Sequence, residues 1–313
     1  MENKILFTGL QRIFSIRNVE KYKNICIFGL RIKLKNKKLI QQEQMKKFEQ
    51  NFQKSNKNLE QKLQKLENII TQQKSELQNL EKFITQQNLE LINYEKENFY
   101  SNVLNMSWYE SEWVNDKKFS LTGGAANYSF IYVLFSILEK ISPQRILEFG
   151  LGQTTKLTTQ YVNNKRNNAM LDVIEHSQDW IDYFSNQLNL TENIKIYHRD
   201  LTPVFINNAE SDKYKDLEAV IGKNKYNLII IDGPIGFKKN YPRTNIIDLL
   251  PQNLAEDFVI VLDDAERIGE KNTAKLIFEK LDACNIKYKK SYKAGLKTQL
   301  LITSENYNFI HWI

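Results

Sequence analysis

The sequence predicts an α/β protein: a largely parallel sheet covered by helices on both faces, closed by an antiparallel hairpin and carried behind a long coiled-coil helix. Three observations predict it. Apolar residues recur every seventh position through residues 36–100, a stretch without Gly or Pro. After Tyr100, strongly apolar runs of strand length alternate with helical patterns, the signature of a sheet buried on both faces. The last two strand patterns are joined by a short turn at Gly295.

The chain opens on a basic arm, residues 1–35. Residues 1–40 carry ten Lys and Arg against Glu2 and Glu20, a balance of +8 in a chain whose net charge is +7. The remainder is therefore near neutral, which argues against a nucleic-acid groove through the body. The arm suits an anionic membrane surface or an acidic partner. "KNICIFGLRIKLK" alternates like a short hairpin with Gly29 at its turn. The apolar run "ICIFGL" is only six residues long, against about 20 for a membrane-spanning helix and about 7–15 for a signal-peptide core. Cys26 and Cys284 lie far apart and read as two free thiols in a reducing compartment. The expected place is the cytoplasm, with the arm at the inner face of the membrane.

In residues 36–100 one heptad frame puts Leu63, Ile70, Leu77, Ile84 and Leu91 at a, and Met45, Phe52, Leu59, Leu66 and Leu80 at d, interrupted by Gln73 and Gln87. Sustained seven-residue recurrence indicates a left-handed coiled coil. One apolar stripe cannot bury itself, so a homo-oligomer is expected, with this segment as spacer and assembly device.

Residues 101–313 form the body. Here a turn at Gly123–Gly124 precedes an apolar helix ending near Ile141. The predicted strands are "RILEFG", "AMLDVIE", "IKIYHRD", "YNLIIIDG" and "DFVIVLDD", then the hairpin strands "IKYKKSYKA" and "KTQLLITS". Helices are expected at "TTKLTTQYVNN", "SQDWIDYFSNQL" and "NTAKLIFEKLDAC".

In an open α/β sheet, ligands bind at the carboxyl ends of the strands. The first five strands each end in an acid: Glu148, Glu175, Asp200, Asp232 and Asp263. Gly150 and Gly152 permit a tight turn and close approach of a ligand to the backbone. A dinucleotide fingerprint would want a third small residue where Thr155 stands. Glu175 lies where an acid grips a ribose diol. Glu148, just before the glycine turn, would repel a pyrophosphate but suit a ligand carrying an ammonium and a sulfonium.

"ILEFGLGQTT", "VIEHSQDW", "HRD", "IIIDGPIG" and "VIVLDDAERIGE", with a terminal hairpin, resemble a class I S-adenosylmethionine-dependent methyltransferase over roughly residues 120–313. The resemblance implies a Rossmann-like seven-stranded sheet. It also implies a cofactor held by Glu148, Gly150, Gly152, Gln153, Thr154, Thr155, Glu175, His176, Asp200 and Asp232, its methionine end by Glu148 and its adenine near Asp200. "IDGPIGFKKNYPR" followed by "DDAER" and Glu270–Lys271 is similar to the glucuronoxylan O-methyltransferase family, which implies a carbohydrate acceptor. "FSIRNVEKYKNICIFGLRIKLK" resembles a leader of bacterial lipo-oligosaccharide and capsule biosynthesis proteins.

A sugar hydroxyl is a poor nucleophile at neutral pH, so a metal or a general base must assist. Asp232, Asp263 and Asp264 form an oxygen-rich triplet where catechol-type O-methyltransferases hold Mg²⁺, and would suit Mg²⁺ or Mn²⁺. The lysine base of that family is replaced by Ile235. The alternative gives Asp264 or His176 the base role and leaves Asp232 on the cofactor. Lys238, Arg243 and Arg267 are expected to line an acceptor pocket for an anionic sugar. Thr122, Gly123, Gly124 and Tyr128 are placed to close over the ligand. Two rival functions use the same elements. A nucleotide-sugar oxidoreductase or epimerase is disfavoured by Glu148 and by the lack of a Tyr-x-x-x-Lys pair after strand four. A non-catalytic scaffold would make the coiled coil the working part.

Overall fold

The computed structural model describes residues 14–19, 22–121, 125–166 and 168–313. The first thirteen residues of the arm, and Thr122, Gly123 and Gly124 of the expected closing segment, lie outside the described residues. The chain divides into two compact units, Met1–Ile84 and Thr85–Ile313.

The first unit begins with an antiparallel meander of β1 (Phe14–Val19), β2 (Tyr22–Ile27) and β3 (Leu30–Lys35). Phe28 and Gly29 join β2 to β3, both with positive φ (45° and 82°), the two-residue turn whose twist matches that of the strands. Cross-strand rows Phe14–Ile27–Leu30 and Ile16–Ile25–Ile32 share one apolar face; Arg17, Arg31 and Lys33 belong to the other. Helix α1 (Lys37–Glu110) follows without a break. It outruns the expected boundary at residue 100, and from Thr85 on it belongs to the second unit.

There the last turns of α1 are core. Leu104 and Trp108 are buried among Phe130, Leu134 and Ile310. Glu97, also buried, accepts hydrogen bonds from Asn127 Nδ2 (2.8 Å), Ser129 N (3.2 Å) and Leu296 N (3.1 Å). It thereby ties α1 to the start of α2 (Tyr128–Ile141), whose N-cap is Asn127, and to the turn at Gly295.

The central sheet contains β4 (Arg145–Phe149), β5 (Met170–Glu175), β6 (Ile194–His198), β9 (Tyr226–Ile231), β10 (Leu254–Leu262), β11 (Lys289–Ala294) and β12 (Thr298–Thr303). Their order is β11-β12-β10-β9-β4-β5-β6; the five from β10 to β6 run parallel and β12 antiparallel to β10. This is the Rossmann-like seven-stranded sheet with terminal hairpin that the sequence predicts. Side chains alternate across it. Ile146, Val173, Leu228, Ile230 and Val261 point into one buried cluster, and Leu147, Phe149, Ile229, Ile231 and Ile260 into the other. The first face is covered by α2 and α3 (Gln153–Gln160), the second in part by α7 (Ile268–Ala283), which supplies Ala274, Ile277 and Leu281. The remaining α-helices are α4 (Gln178–Ser185), α5 (Glu218–Ile221) and α6 (Asn245–Leu249); a π-helical turn (Tyr161–Lys165) continues α3, and a 3-10 helix (Glu305–Trp312) follows β12.

One element has no counterpart in the sequence reading. Between β6 and β9 the chain makes a second hairpin, β7 (Leu201–Ile206) and β8 (Ala209–Tyr214), turning at Asn207 and Asn208 with φ of 49° and 63°. Its two adjacent Asn residues are the local signal, since Asn tolerates the left-handed region better than other side chains.

Candidate functional site

Strand order reverses between β4 and β9: the chain runs outward through β5 and β6, then returns to lie on the other side of β4. The two following loops diverge there and leave a crevice at the carboxyl ends. A cleft of about 880 Å³ occupies this position. Its floor is the touching of two turns. Gly150 has φ of 93°, and a Cβ there would stand 3.0 Å from the Asp232 backbone oxygen, so only glycine fits. Gly152 is extended and faces open space, leaving its backbone accessible to a ligand.

Glu175, at the end of β5, reaches back under this turn. Its Oε2 accepts the Leu151 N–H (3.0 Å), and its Oε1 accepts the N–H groups of His176 (2.7 Å) and Ser177 (2.9 Å). Burial alone would raise its pKa, but the adjacent His176 and these N–H donors outweigh it and hold the carboxyl below the usual range. His176 Nδ1 stands 2.8 Å from Glu175 Oε1, and that carboxylate pushes the imidazole pKa up against the opposing effect of burial. Both residues line the cleft, as do Gln153 and Asp232.

Glu148 does not reach the cleft. It is fully buried, and three hydroxyls donate to it: Thr154 (2.5 Å) and Thr155 (2.9 Å) to Oε1, Thr158 (3.0 Å) to Oε2. Burial pushes its carboxyl up to about 7 despite these donors. The acid expected to face a cationic ligand instead clips the end of β4 to α3. Thr154 and Thr155 belong to that clip, and neither lines the cleft. Asp200 is also displaced from its expected role. Its side chain is 78% exposed, 3.8 Å from His198 Nε2 and outside the cleft lining, because the chain turns there into the β7–β8 hairpin.

Asp232, Asp263 and Asp264 do converge, each offering a carboxylate oxygen within 4.8 Å of the others. The room among them is taken by cations of the chain itself. Arg243, 4% exposed, places NH2 3.3 Å from Asp232 Oδ1 and 2.8 Å from Asp264 Oδ2, and donates from NH1 to the Asp263 backbone oxygen (3.0 Å). Arg267 NH1 lies 2.8 Å from Asp264 Oδ2. Lys297 Nζ stands 3.5 Å from Asp263 and 3.7 Å from Asp264, and Gln299 donates to Asp263 Oδ1 (2.8 Å). Three carboxylates neutralised by three cations do not fit a divalent ion, which would have to displace a buried guanidinium. Burial and the neighbouring Asp263 push the Asp232 carboxyl up, against the pull of Arg243.

Arg243 was expected to read an anionic substrate. It lines the cleft but its guanidinium is held by the acids, a pairing that sequence separation hides. Arg267 also reaches the cleft while bound to Asp264. Lys238 stays outside, its Nζ 5.3 Å from the Phe237 ring centroid.

The residues the sequence reading missed are aromatic. Trp180, Tyr183 and Phe184 of α4 form a wall of the cleft, with ring centroids 5.4 Å apart in both the Trp180–Tyr183 and Trp180–Phe184 pairs. Trp180 Nε1 donates to the Leu151 backbone oxygen (2.6 Å), fixing the indole over the glycine turn. The available signal was an i, i+3, i+4 aromatic stripe starting five residues after Glu175.

No protein-family model and no curated protein matches the chain. Among solved structures it is similar to methyltransferases. One is the precorrin-6y C5,15-methyltransferase of Geobacter metallireducens, at 13% identity and a TM-score of 0.42 over 62% of this chain and 97% of that one. A second is the O-methyltransferase TomG of Streptomyces achromogenes, involved in tomaymycin synthesis and solved with S-adenosylmethionine, at 12% identity and a TM-score of 0.38 over 55% and 78%. A third is the S-adenosylhomocysteine-bound methyltransferase PaMTH1 of Podospora anserina, at 14% identity and a TM-score of 0.37 over 64% and 86%. The roles of residues in this chain rest on its own geometry.

Among the described residues no helix is long and apolar enough to cross a membrane. Cys26 and Cys284 are free thiols.

Proposed function

We propose that the second unit transfers a methyl group from S-adenosylmethionine to an oxygen of a carbohydrate. The observation that carries this reading is the state of the glycine turn. A pyrophosphate would need free N–H groups there, yet Leu151 N–H is given to Glu175 and Gly152 N–H to Thr155 Oγ1 (3.0 Å). Glu175 also puts a negative charge directly against the turn. The same turn suits a ligand with a neutral ribose and a cationic end. Glu175 Oε1 takes the His176 and Ser177 N–H groups and faces the His176 ring, while Oε2 takes only the Leu151 N–H, which leaves Oε2 able to accept a ribose hydroxyl as well. The Trp180 face would take the adenine by stacking.

When bound, the cofactor supplies an electrophilic methyl on sulfur. The chain's residues must then align the acceptor and remove its proton. Asp232 lines the cleft with its pKa pushed up, which makes it the stronger candidate base; Arg243 fixes its carboxylate. His176, held by Glu175, is better placed as a ribose-side residue. The carbohydrate acceptor rests on the DGP-x-G resemblance of residues 232–236 and on the exposed apolar rim of Ile235 and Phe237. The oxidoreductase reading loses support from the occupied turn.

Titration followed by Trp180 fluorescence, with a Trp180→Phe control, tests the proposal. Quenching by S-adenosylhomocysteine and none by NAD⁺ is expected. A response to NAD⁺ alone would overturn it.

A further inference from the structure

We infer that α1 is an assembly seam and that its partner is a second copy of this chain, running antiparallel. Across Met45–Ile84 the a and d positions are in water: Leu63 is 53% exposed, Leu66 57%, Ile70 63% and Leu77 57%. Nine apolar a and d side chains in this span are at least half exposed. At roughly 90 Å² each they present about 800 Å² per chain, the share of a standard specific interface. A helix with that much apolar stripe in water is held by a partner rather than by its own propensity. The spacing is that of a left-handed pair.

The order of residues along the stripe chooses the occupant and its direction. In an antiparallel pair each a residue faces a d residue of the partner. Centred between Gln64 and Lys65, the stripe reads nearly the same in both directions. Leu63 meets Leu66 of the partner subunit, Leu59 meets Ile70, Phe52 meets Leu77 and Met45 meets Ile84. The polar Asn56 then meets Gln73, so amide faces amide and neither is stranded against Leu. Phe48 and Phe83, apolar at flanking g positions and 67% and 60% exposed, fall opposite each other. The mismatches are Glu49 opposite Leu80, which it can avoid by extending to solvent, and Glu60 beside Glu67 on the solvated flank. A parallel pair in register would also face amide with amide, so the direction is chosen by Glu49 and Phe48: the parallel pair buries Glu49 against its own copy and leaves Phe48 facing Gln53.

Three measurements on the full chain test this independently of any activity. Sedimentation equilibrium at micromolar concentration should give twice the 37.0 kDa chain mass; a monomer, or three or more chains, would overturn the pair. In a Cys26→Ser/Cys284→Ser background, a spin label at residue 47 should report about 50 Å between copies, because antiparallel residues 47 and 82 share a level and helices rise about 1.5 Å per residue. A separation near 20 Å would mean a parallel pair and overturn the direction. Leu63→Glu with Ile70→Glu should leave a monomer whose second unit melts at the wild-type temperature. A doubly substituted chain that stays dimeric would remove the seam from the interface.

Discussion

Glu148 sits at the end of the first core strand, where an acid looks made to meet a ligand, but three threonine hydroxyls close over it instead. Its carboxyl, pushed up to about 7, binds a proton more tightly in the fold than in the unfolded chain. Its stabilising contribution is therefore full below about pH 4.5 and lost as pH rises toward 7, a swing on the order of 3 kcal/mol. Thermal melts of Glu148→Gln from pH 5 to 8 should show a flatter pH dependence than the wild type. Glu175 has the opposite sign: with its pKa lowered, its contribution is present above its unfolded pKa and lost as acid titrates it. His176, raised, contributes below its own unfolded pKa and loses that contribution as pH rises through the folded value. Glu175→Gln keeps one acceptor but removes the charge that takes three N–H donors. Calorimetry should show S-adenosylhomocysteine binding at least tenfold weaker. Asp232→Asn should leave that binding within about threefold while methyl transfer falls by a factor on the order of 10² to 10⁴.

At the scale of elements, the β7–β8 hairpin and the tail of α1 shape the unit that holds the cleft. The hairpin delivers Tyr214, stacked on Phe149 at 5.8 Å, with its hydroxyl buried and without a hydrogen-bond partner among the described residues. Removing that oxygen costs no bond, so Tyr214→Phe should be neutral or stabilise by up to about 1 kcal/mol in denaturant titration. The α1 tail is a different kind of element, a helix whose far end is core. Leu104 has no exposed surface, and Leu104→Ala should destabilise the second unit by about 2–5 kcal/mol. Glu97→Ala would leave three donors without their acceptor and should lower the same transition by a further measurable step.

At the scale of the whole molecule, charge is what long-range folding rearranges. Asp232, Asp263 and Asp264 read as a metal site along the chain, and they do meet. Folding also brings Arg243, Arg267 and Lys297 to them, from loops and from the start of the closing hairpin strand. Methyl transfer should therefore proceed unchanged after dialysis against EDTA, measured as acceptor methylation; a loss restored by Mg²⁺ or Mn²⁺ would contradict the neutralised cluster. Elements with a strong local period were legible in the sequence: the heptads of α1, the apolar runs of β4, β9 and β10, and the hairpin at Gly295. The β7–β8 hairpin was not, because β7 carries a Pro within its apolar run, β8 is mostly polar, and neither keeps a clear alternation.

The glycine turn, the acid at the end of β5 and the crevice above them were determined by the sequence alone, since strand period and turn chemistry act over a few residues. Which acid faces the ligand was decided only by tertiary structure. A carboxylate's role depends on whether hydroxyls, backbone N–H groups or a guanidinium reach it first, and those partners come from up to 36 positions away, as with Gln299 and Asp263. The aromatic wall of α4 follows the same rule: its spacing is local, but its meaning as a surface for a flat ring depends on Trp180 being pinned across the turn to Leu151.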